Sequence, residues 1–229
     1  MLFNLFNKKK RFCVSENTNN RMEFWTHFLK DKNINTMAEI GVWKGDFSSH
    51  ILKNIKNIKT YYMIDPWGGV SKEIWNKPFN ISQKKFDLVY NEALSKTSFA
   101  RDKIKILRQT TSNAVDNIED EELDCVYIDG DHTLRGITID LIKIYPKIKY
   151  DGYICGDDLS ENLFQHGRDF EPTMVFPYVI YFAEAMDLEI DLLPYNQYVI
   201  YKRKKSSFKL NNYTNQYKNI NLKDNLLLR

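Results

Sequence analysis

The sequence predicts an α/β fold built on an open, largely parallel sheet. Two short apolar runs, residues 125–128 and 153–155, each stop at carboxylates, and a helical pattern over residues 133–145 connects them. A strand, a helix and a second strand of this length form a βαβ unit, whose strands are parallel. Residues 37–55 read as another buried strand that turns through glycines into a helix, and residues 188–202 as an antiparallel hairpin that closes the sheet.

Three acidic side chains follow the strands of the βαβ unit. Asp129 comes directly after the first strand, and Asp157 and Asp158 come directly after the second. Because ligands of open α/β sheets bind beside the carboxyl ends of the strands, we expect a site at this edge. Crowded carboxylates repel one another, and a bound cation relieves that repulsion.

Charge is distributed unevenly along the 229 residues. Residues 202–229 hold 8 Lys/Arg and 1 acid, and residues 8–11 hold four cations, so the remaining body has 21 Lys/Arg against 29 Asp/Glu. An acidic body argues against a nucleic-acid-binding face on the folded domain. The sequence therefore predicts a flexible N-terminal segment over residues 1–20, one domain over residues 21–203, and a disordered basic tail over residues 204–229.

Cysteine usage and hydropathy bear on location. Three cysteines form no disulfide framework, and two of them fall in predicted buried strands, which indicates a reducing, cytoplasmic compartment. No stretch reaches the roughly 18–20 apolar residues that a membrane span requires.

The turn after the first strand has the features of a cofactor site. Gly41 and Gly45 let backbone amides approach a ligand at the start of a helix, although a plain tight turn also needs glycine. Glu39 lies inside an otherwise apolar strand, where a buried carboxylate needs a cationic partner. Asp65 ends the second strand, where α/β nucleotide sites place a carboxylate on ribose hydroxyls. A GxGxxG motif is absent, because position 43 is Trp, so a ligand with an ammonium and no pyrophosphate suits Glu39 better.

Other segments frame this edge. An apolar stripe over residues 21–31 predicts a helix that covers one edge of the sheet. Residues 66–80 read as a loop rich in aromatic side chains. Residues 159–173 read as a long polar loop, which serves as a lid or substrate wall or merely as a connector. Residues 109–112 open a short helix and either cap it or bind an adenine edge.

Four segments in this order carry a resemblance to a known family: residues 39–45 (EIGVWKG), 64–67 (IDPW), 127–132 (YIDGDH) and 156–158 (GDD). They resemble class I S-adenosylmethionine-dependent methyltransferases, most closely the branch of macrocin-type sugar O-methyltransferases, which is related to catechol O-methyltransferase. The resemblance spans about residues 21–203. It implies a Rossmann-like, seven-stranded sheet, parallel except for one strand, with a C-terminal antiparallel hairpin and helices on both faces.

The resemblance also implies a cofactor, S-adenosyl-L-methionine, and a role for each matching residue. Four residues would bind the methionine end of the cofactor: Glu39, Gly41, Gly45 and Ser48. Asp65 would take the ribose hydroxyls, and the adenine would be surrounded by Trp67, Gln109, Thr110 and Thr111. Metal-dependent relatives hold Mg2+ or Mn2+ where this chain has Asp129, Asp157 and Asp158, and Asp129 would also border the cofactor and take part in catalysis. His132 falls where the macrocin type keeps its base.

These roles form a coherent reaction. Methyl transfer from a sulfonium needs a nucleophilic oxygen lone pair, so an alcohol must lose its proton on the way. A divalent ion would lower the pKa of the hydroxyl, and His132 would accept the proton. Alternatively, Asp131 and His132 only cap the following helix.

The sequence thus predicts an O-methyltransferase that acts on a small-molecule or glycan acceptor, and it leaves a homo-oligomer open. Two alternatives remain. One is a metal-independent methyltransferase with another acceptor, either an amine or a nucleic acid tethered by the basic tail. The other is a non-catalytic ligand-binding module on the same fold, although such a module has no need of the acids and the histidine.

Overall fold

The computed structural model describes residues 18–214, 216 and 217, and its centre is an eight-stranded sheet. The strands run in the spatial order β3-β2-β1-β4-β5-β7-β6-β8. Their bounds are β1 Thr36–Ile40, β2 Thr60–Ile64, β3 Ile104–Leu107, β4 Leu123–Ile128, β5 Ile148–Gly156, β6 Glu189–Leu193, β7 Gln197–Lys202 and β8 Lys209–Asn212. Of these strands, β7 alone runs antiparallel to its neighbours. The α/β class, the parallel βαβ unit and the closing hairpin are therefore confirmed.

The helices lie between the strands and cover both faces of the sheet. They are α1 Arg21–Lys30, α2 Asp46–Asn54, α3 Gln83–Thr97, α4 Thr111–Ala114, α5 Leu134–Ile144 and α6 Val175–Ala185. Helix α5 begins as predicted, because the Thr133 hydroxyl accepts a hydrogen bond from the Gly136 amide at 3.1 Å. Strand order reverses between β1 and β4, and such a reversal opens a crevice at the carboxyl ends of the two strands.

The number of strands differs from the seven that the resemblance implied. The additional strand, β8, pairs parallel with β6 and lies within the segment 204–229 that was predicted to be disordered. Asn211 explains the difference, since its amide donates to Glu189 at 3.0 Å and to Asp191 at 2.7 Å on the neighbouring strand. Paired backbone and these polar contacts order residues 209–212 despite their lack of apolar periodicity. Residues 215 and 218–229 of that segment, and residues 1–17 of the predicted N-terminal segment, lie outside the described residues.

Helix α1 packs on a face of the sheet and not on its edge. The Trp25 ring lies 5.4 Å from Tyr127 of β4, and the Phe28 ring lies 5.8 Å from Tyr153 of β5, both in edge-to-face geometry. Trp25 and Phe28 are buried. The apolar stripe thus anchors α1 over the central strands, which places its first residue beside the crevice.

Within the described part of the chain, no helix combines the length and apolarity that crossing a bilayer requires.

Candidate active site

The turn after β1 brings two parts of the crevice into contact. Gly41 has φ +84°, and a Cβ built there would lie 1.9 Å from the backbone oxygen of Asp129. Gly45 has φ +73° and is the N-cap residue of α2. A side chain at position 41 would therefore clash with the end of β4. The glycine turn and Asp129 are direct neighbours, as the sequence prediction of a shared edge requires.

Glu39 is buried in β1 and is bound by hydroxyl groups. It is 1% exposed, and it accepts hydrogen bonds from the Ser48 hydroxyl and, at 2.8 Å, from the Tyr61 hydroxyl. Burial raises the pKa of Glu39 to about 8, against the smaller lowering effect of the two hydroxyl donors. No ion pair to Glu39 occurs among residues 18–214, so the predicted cationic partner is not a protein side chain there. This carboxyl can accept an ammonium group from a ligand.

Asp65 follows β2 and is held by three backbone amides. Its Oδ2 accepts from Val42 at 3.0 Å and from Trp43 at 2.9 Å, and its Oδ1 accepts from Trp67 at 2.7 Å. Burial raises the pKa of the Asp65 carboxyl, and the three amides oppose that rise. These contacts fix the carboxyl at the end of β2 beside the glycine turn, which is the place predicted for it.

The residues predicted around an adenine are found in different environments. Trp67 is fully buried, and its indole nitrogen donates to the Trp43 carbonyl at 2.9 Å, so it packs in the core instead of facing the crevice. Gln109 and Thr110 are exposed at the start of α4. Thr111 is buried and its hydroxyl bonds to Asp140. The structure therefore gives Trp67 and Thr111 contacts inside the protein and leaves Gln109 and Thr110 open to a ligand.

His132 lies between two of the predicted acids. Its Nδ1 lies 2.5 Å from Oδ2 of Asp158, and its Nε2 lies 3.4 Å from Oδ1 of Asp129. Burial disfavours the imidazolium, but the hydrogen bonds and charges of Asp129 and Asp158 outweigh it and raise the pKa of His132 to about 10. His132 does not cap α5, because that role belongs to Thr133.

Arg21 binds the other pair of acids. Its Nη1 lies 3.2 Å from Oδ2 of Asp129 and directly contacts Oδ2 of Asp157. Asp157 also accepts from the side-chain amide of Gln197 and from the Asp158 amide through its Oδ1. The repulsion expected among the three carboxylates is therefore relieved by Arg21 and His132.

The predicted metal ligands do not fit a divalent ion in this arrangement. Arg21 already fills the space between the facing oxygens of Asp129 and Asp157, and His132 engages Asp158. Another group, formed by His132, Asp158 and His166, has its ligand atoms within 4.8 Å of one another. That group contains one of the three predicted ligands, and the hydrogen bond between His132 and Asp158 would have to break before an ion could bind both.

The two long loops meet above His132. The Trp75 indole donates to Asp131 at 3.0 Å, and Lys77 donates to the Glu171 carbonyl at 2.6 Å. The His166 ring is parallel to the His132 ring at a centroid distance of 6.4 Å. The two loops thus border the site, and the role of residues 159–173 as a lid, a substrate wall or a connector stays a prediction.

Sequence reasoning did not identify two residues of the site. Arg21 was assigned only to a helix, and Gln197 lay within the predicted hairpin over residues 188–202 without a role of its own. Gln197 is fully buried, and its Oε1 accepts from the Trp25 indole at 2.7 Å and from the Tyr127 hydroxyl at 2.9 Å while its amide donates to Asp157. A glutamine directly before the apolar run of residues 198–201 was the available signal, although it is weaker than a carboxyl inside a strand.

Comparisons with known proteins agree with this architecture. A family model described as a methyltransferase domain matches residues 38–159, which is more than half of the chain. No curated protein sequence matches the chain.

Several solved structures share the fold. A Staphylococcus aureus protein provisionally named as a caffeoyl-CoA O-methyltransferase is similar with a TM-score of 0.56 at 14% identity, over 79% of this chain and 82% of that one. An SAH-bound methyltransferase from Podospora anserina is similar with a TM-score of 0.56 at 17% identity, over 82% and 80%. A methyltransferase from Geobacter sulfurreducens gives 0.54 at 11% identity, over 82% and 81%.

At these identities the structural likeness speaks for the fold, whereas the family is shown by the sequence model over residues 38–159. The chain therefore belongs to the methyltransferase-domain family, and its fold is that of the class I S-adenosylmethionine-dependent methyltransferases.

Proposed function

We propose that this protein transfers a methyl group from S-adenosylmethionine to a hydroxyl of a sugar or another small molecule. The observation that carries the proposal is the contact between Gly41 and Asp129. It joins a turn suited to the cofactor directly to a cluster that contains a titratable base. A protein that only binds a ligand would need the cofactor turn and would have no need of the cluster around His132.

The glycine turn with Glu39 and Asp65, here called the cofactor half of the site, would hold S-adenosylmethionine by complementary charge. The α-ammonium of the cofactor is the cation that the buried Glu39 lacks, and Ser48 and Tyr61 orient that carboxyl. Asp65, fixed by three amides, would accept from the ribose hydroxyls. Gln109 and Thr110 would contact the adenine. The family membership and the SAH-bound Podospora anserina neighbour support this choice of cofactor.

The other half of the site, formed by Asp129, His132 and Asp158, would deprotonate the acceptor hydroxyl during methyl transfer. A bond forms between the hydroxyl oxygen and the methyl carbon, the methyl–sulfur bond breaks, and its electron pair stays on the sulfur of S-adenosylhomocysteine. The hydroxyl proton goes to His132, which Asp129 and Asp158 orient. Because the pKa of His132 is raised to about 10, the imidazole is protonated near neutral pH and must first lose that proton, so turnover should rise with pH.

A small polar acceptor suits the loops that border this half. They line a shallow, open depression of about 500 Å³ whose walls combine aromatic and charged or amide side chains: Asn76, Phe164, Arg168, Asp169, Phe170 and Glu171. Aromatic faces with a few polar groups are suited to sugars and other polyols. The O-methyltransferase neighbour from Staphylococcus aureus also supports an oxygen acceptor.

The test is S-adenosylhomocysteine formation with a panel of glycans and small polyols. We expect one acceptor class to give turnover, and His132→Ala to lower it by about two orders of magnitude while cofactor affinity stays unchanged. His27→Ala, an exposed histidine on α1, is the matched control. Full activity of His132→Ala would assign its role to structure and point to an acceptor that needs no base.

A further inference from the structure

The cation between Asp129 and Asp157 belongs to the protein itself. Arg21 is the first residue of α1, and the Asn20 side chain caps this helix by accepting from Met22 at 3.0 Å and from Glu23 at 3.1 Å. The helix start is therefore a fixed position and not a frayed end. From it the guanidinium reaches Asp129 and Asp157 at the ends of β4 and β5.

A second contact ties the same helix to the same acid. Trp25, one turn along α1, donates to Gln197 at 2.7 Å, and Gln197 donates to Asp157. Trp25 and Gln197 are both fully buried. Arg21 is thus positioned by a buried network, and a surface ion pair that forms by chance would lack such support.

The guanidinium and a divalent ion would compete for one place. A magnesium ion that bridges carboxylates lies about 2.0–2.1 Å from its oxygen ligands. The Arg21 nitrogen already contacts the oxygens that such an ion would bridge. Arginine keeps its charge at any physiological pH, so it supplies a permanent positive charge there.

We infer that Arg21 is the built-in cation of this site: it occupies the position between Asp129 and Asp157 and excludes a divalent ion from it. The inference depends on the proposed function in one respect: if the protein is a methyltransferase, methyl transfer proceeds without a metal ion that bridges Asp129 and Asp157. Arg21 is then a positioning residue that holds the Asp129 carboxyl in place beside His132. Its side chain is 38% exposed, so the ion pair lies at the surface of the crevice and is not sealed inside the protein.

The test is a calorimetric titration of the full chain with Mn2+ alone. It compares wild type with Arg21→Met and Arg21→Lys. Methionine removes the charge at similar volume, whereas lysine keeps it. We expect Arg21→Met to bind Mn2+ at least about tenfold more tightly than wild type and Arg21→Lys to remain close to wild type. In the double variant Arg21→Met/Asp157→Asn the gain should disappear, and Arg101→Met, an exposed arginine, should show none.

Equal Mn2+ affinity in wild type and Arg21→Met would overturn the inference. So would tight Mn2+ binding by wild type that is lost in Asp157→Asn and kept in His166→Ala, because an ion would then bind between Asp129 and Asp157 although Arg21 is present. Circular dichroism of each variant establishes that it is folded. Because these titrations contain neither cofactor nor acceptor, their outcome is independent of whether the methyl transfer proposal holds.

Discussion

Replacing Glu39 with Gln should change how the stability of the protein depends on pH. Burial raises the pKa of Glu39 to about 8, against an ordinary value of 4.5. Between these two values the unfolded chain has lost the Glu39 proton while the folded, ligand-free protein keeps it. The contribution of Glu39 to the free energy of unfolding therefore falls as pH rises, by about 1.4 kcal/mol per pH unit. Over the whole interval the loss attributable to Glu39 is on the order of 5 kcal/mol.

The glutamine variant has no proton to lose at this position, and its side-chain oxygen can accept the same hydrogen bonds from Ser48 and Tyr61. Urea unfolding of both proteins at several values between pH 5 and 9 measures the difference. We expect the stability of Glu39→Gln relative to wild type to increase steadily from pH 5 to 8 and then level off. Glu184→Gln, at an exposed position of α6, is the control and should show no such trend.

The same carboxyl links pH to the cofactor. At pH 7 the ligand-free protein holds Glu39 largely protonated, and binding of an α-ammonium requires the carboxylate. Binding of S-adenosylhomocysteine at pH 7 should therefore release about one proton from wild type and none from Glu39→Gln. Calorimetry in buffers of different ionisation enthalpy counts the proton. Parallel stability curves for the two proteins would refute the reasoning, since Glu39 would then be ionised in the empty site.

Two further predictions concern the framework. Gly41→Ala should lower the free energy of unfolding by about 2–4 kcal/mol, because a Cβ there meets the Asp129 backbone and φ +84° is strained for alanine. Urea unfolding measures the loss, and unchanged stability would contradict the close packing of β1 and β4. Truncation after Arg203 should remove β8, with the contacts of Asn211 and the 3.0 Å bond from the Tyr213 amide to Leu192, and cost about 1–3 kcal/mol. An unchanged melting temperature would show that β8 contributes nothing to the fold.

Local patterns in the sequence were sufficient for the central strands and for the positions of the acids. The runs before Asp129 and Asp157 are apolar throughout, as strands covered on both faces must be, and Thr133 marks the start of α5. Glu39 stood out because a carboxyl interrupts an apolar strand. Each of these signals lies within a few residues of the feature that it predicts.

Contacts between distant parts of the chain could not be read in this way. Arg21 is separated from Asp129 by 108 positions, and nothing in the stripe of α1 indicates which strands it will cover. Its presence beside the acids removes the repulsion from which a metal was expected. Strand β8 was missed for a related reason, because its order comes from pairing with β6 and from Asn211, while its own sequence is polar.

The central claim is that the edge formed by β1, β2 and β4 binds S-adenosylmethionine, and titration calorimetry with S-adenosylhomocysteine tests it most directly. Wild type should bind one equivalent, and Asp65→Ala should lose about 1.5–3 kcal/mol of binding free energy, roughly a tenfold to hundredfold weaker affinity, with its fold checked by circular dichroism. Asp102→Ala, at an exposed position, should bind as wild type does. Absence of binding to wild type, or an undiminished affinity in a folded Asp65→Ala protein, would contradict the account.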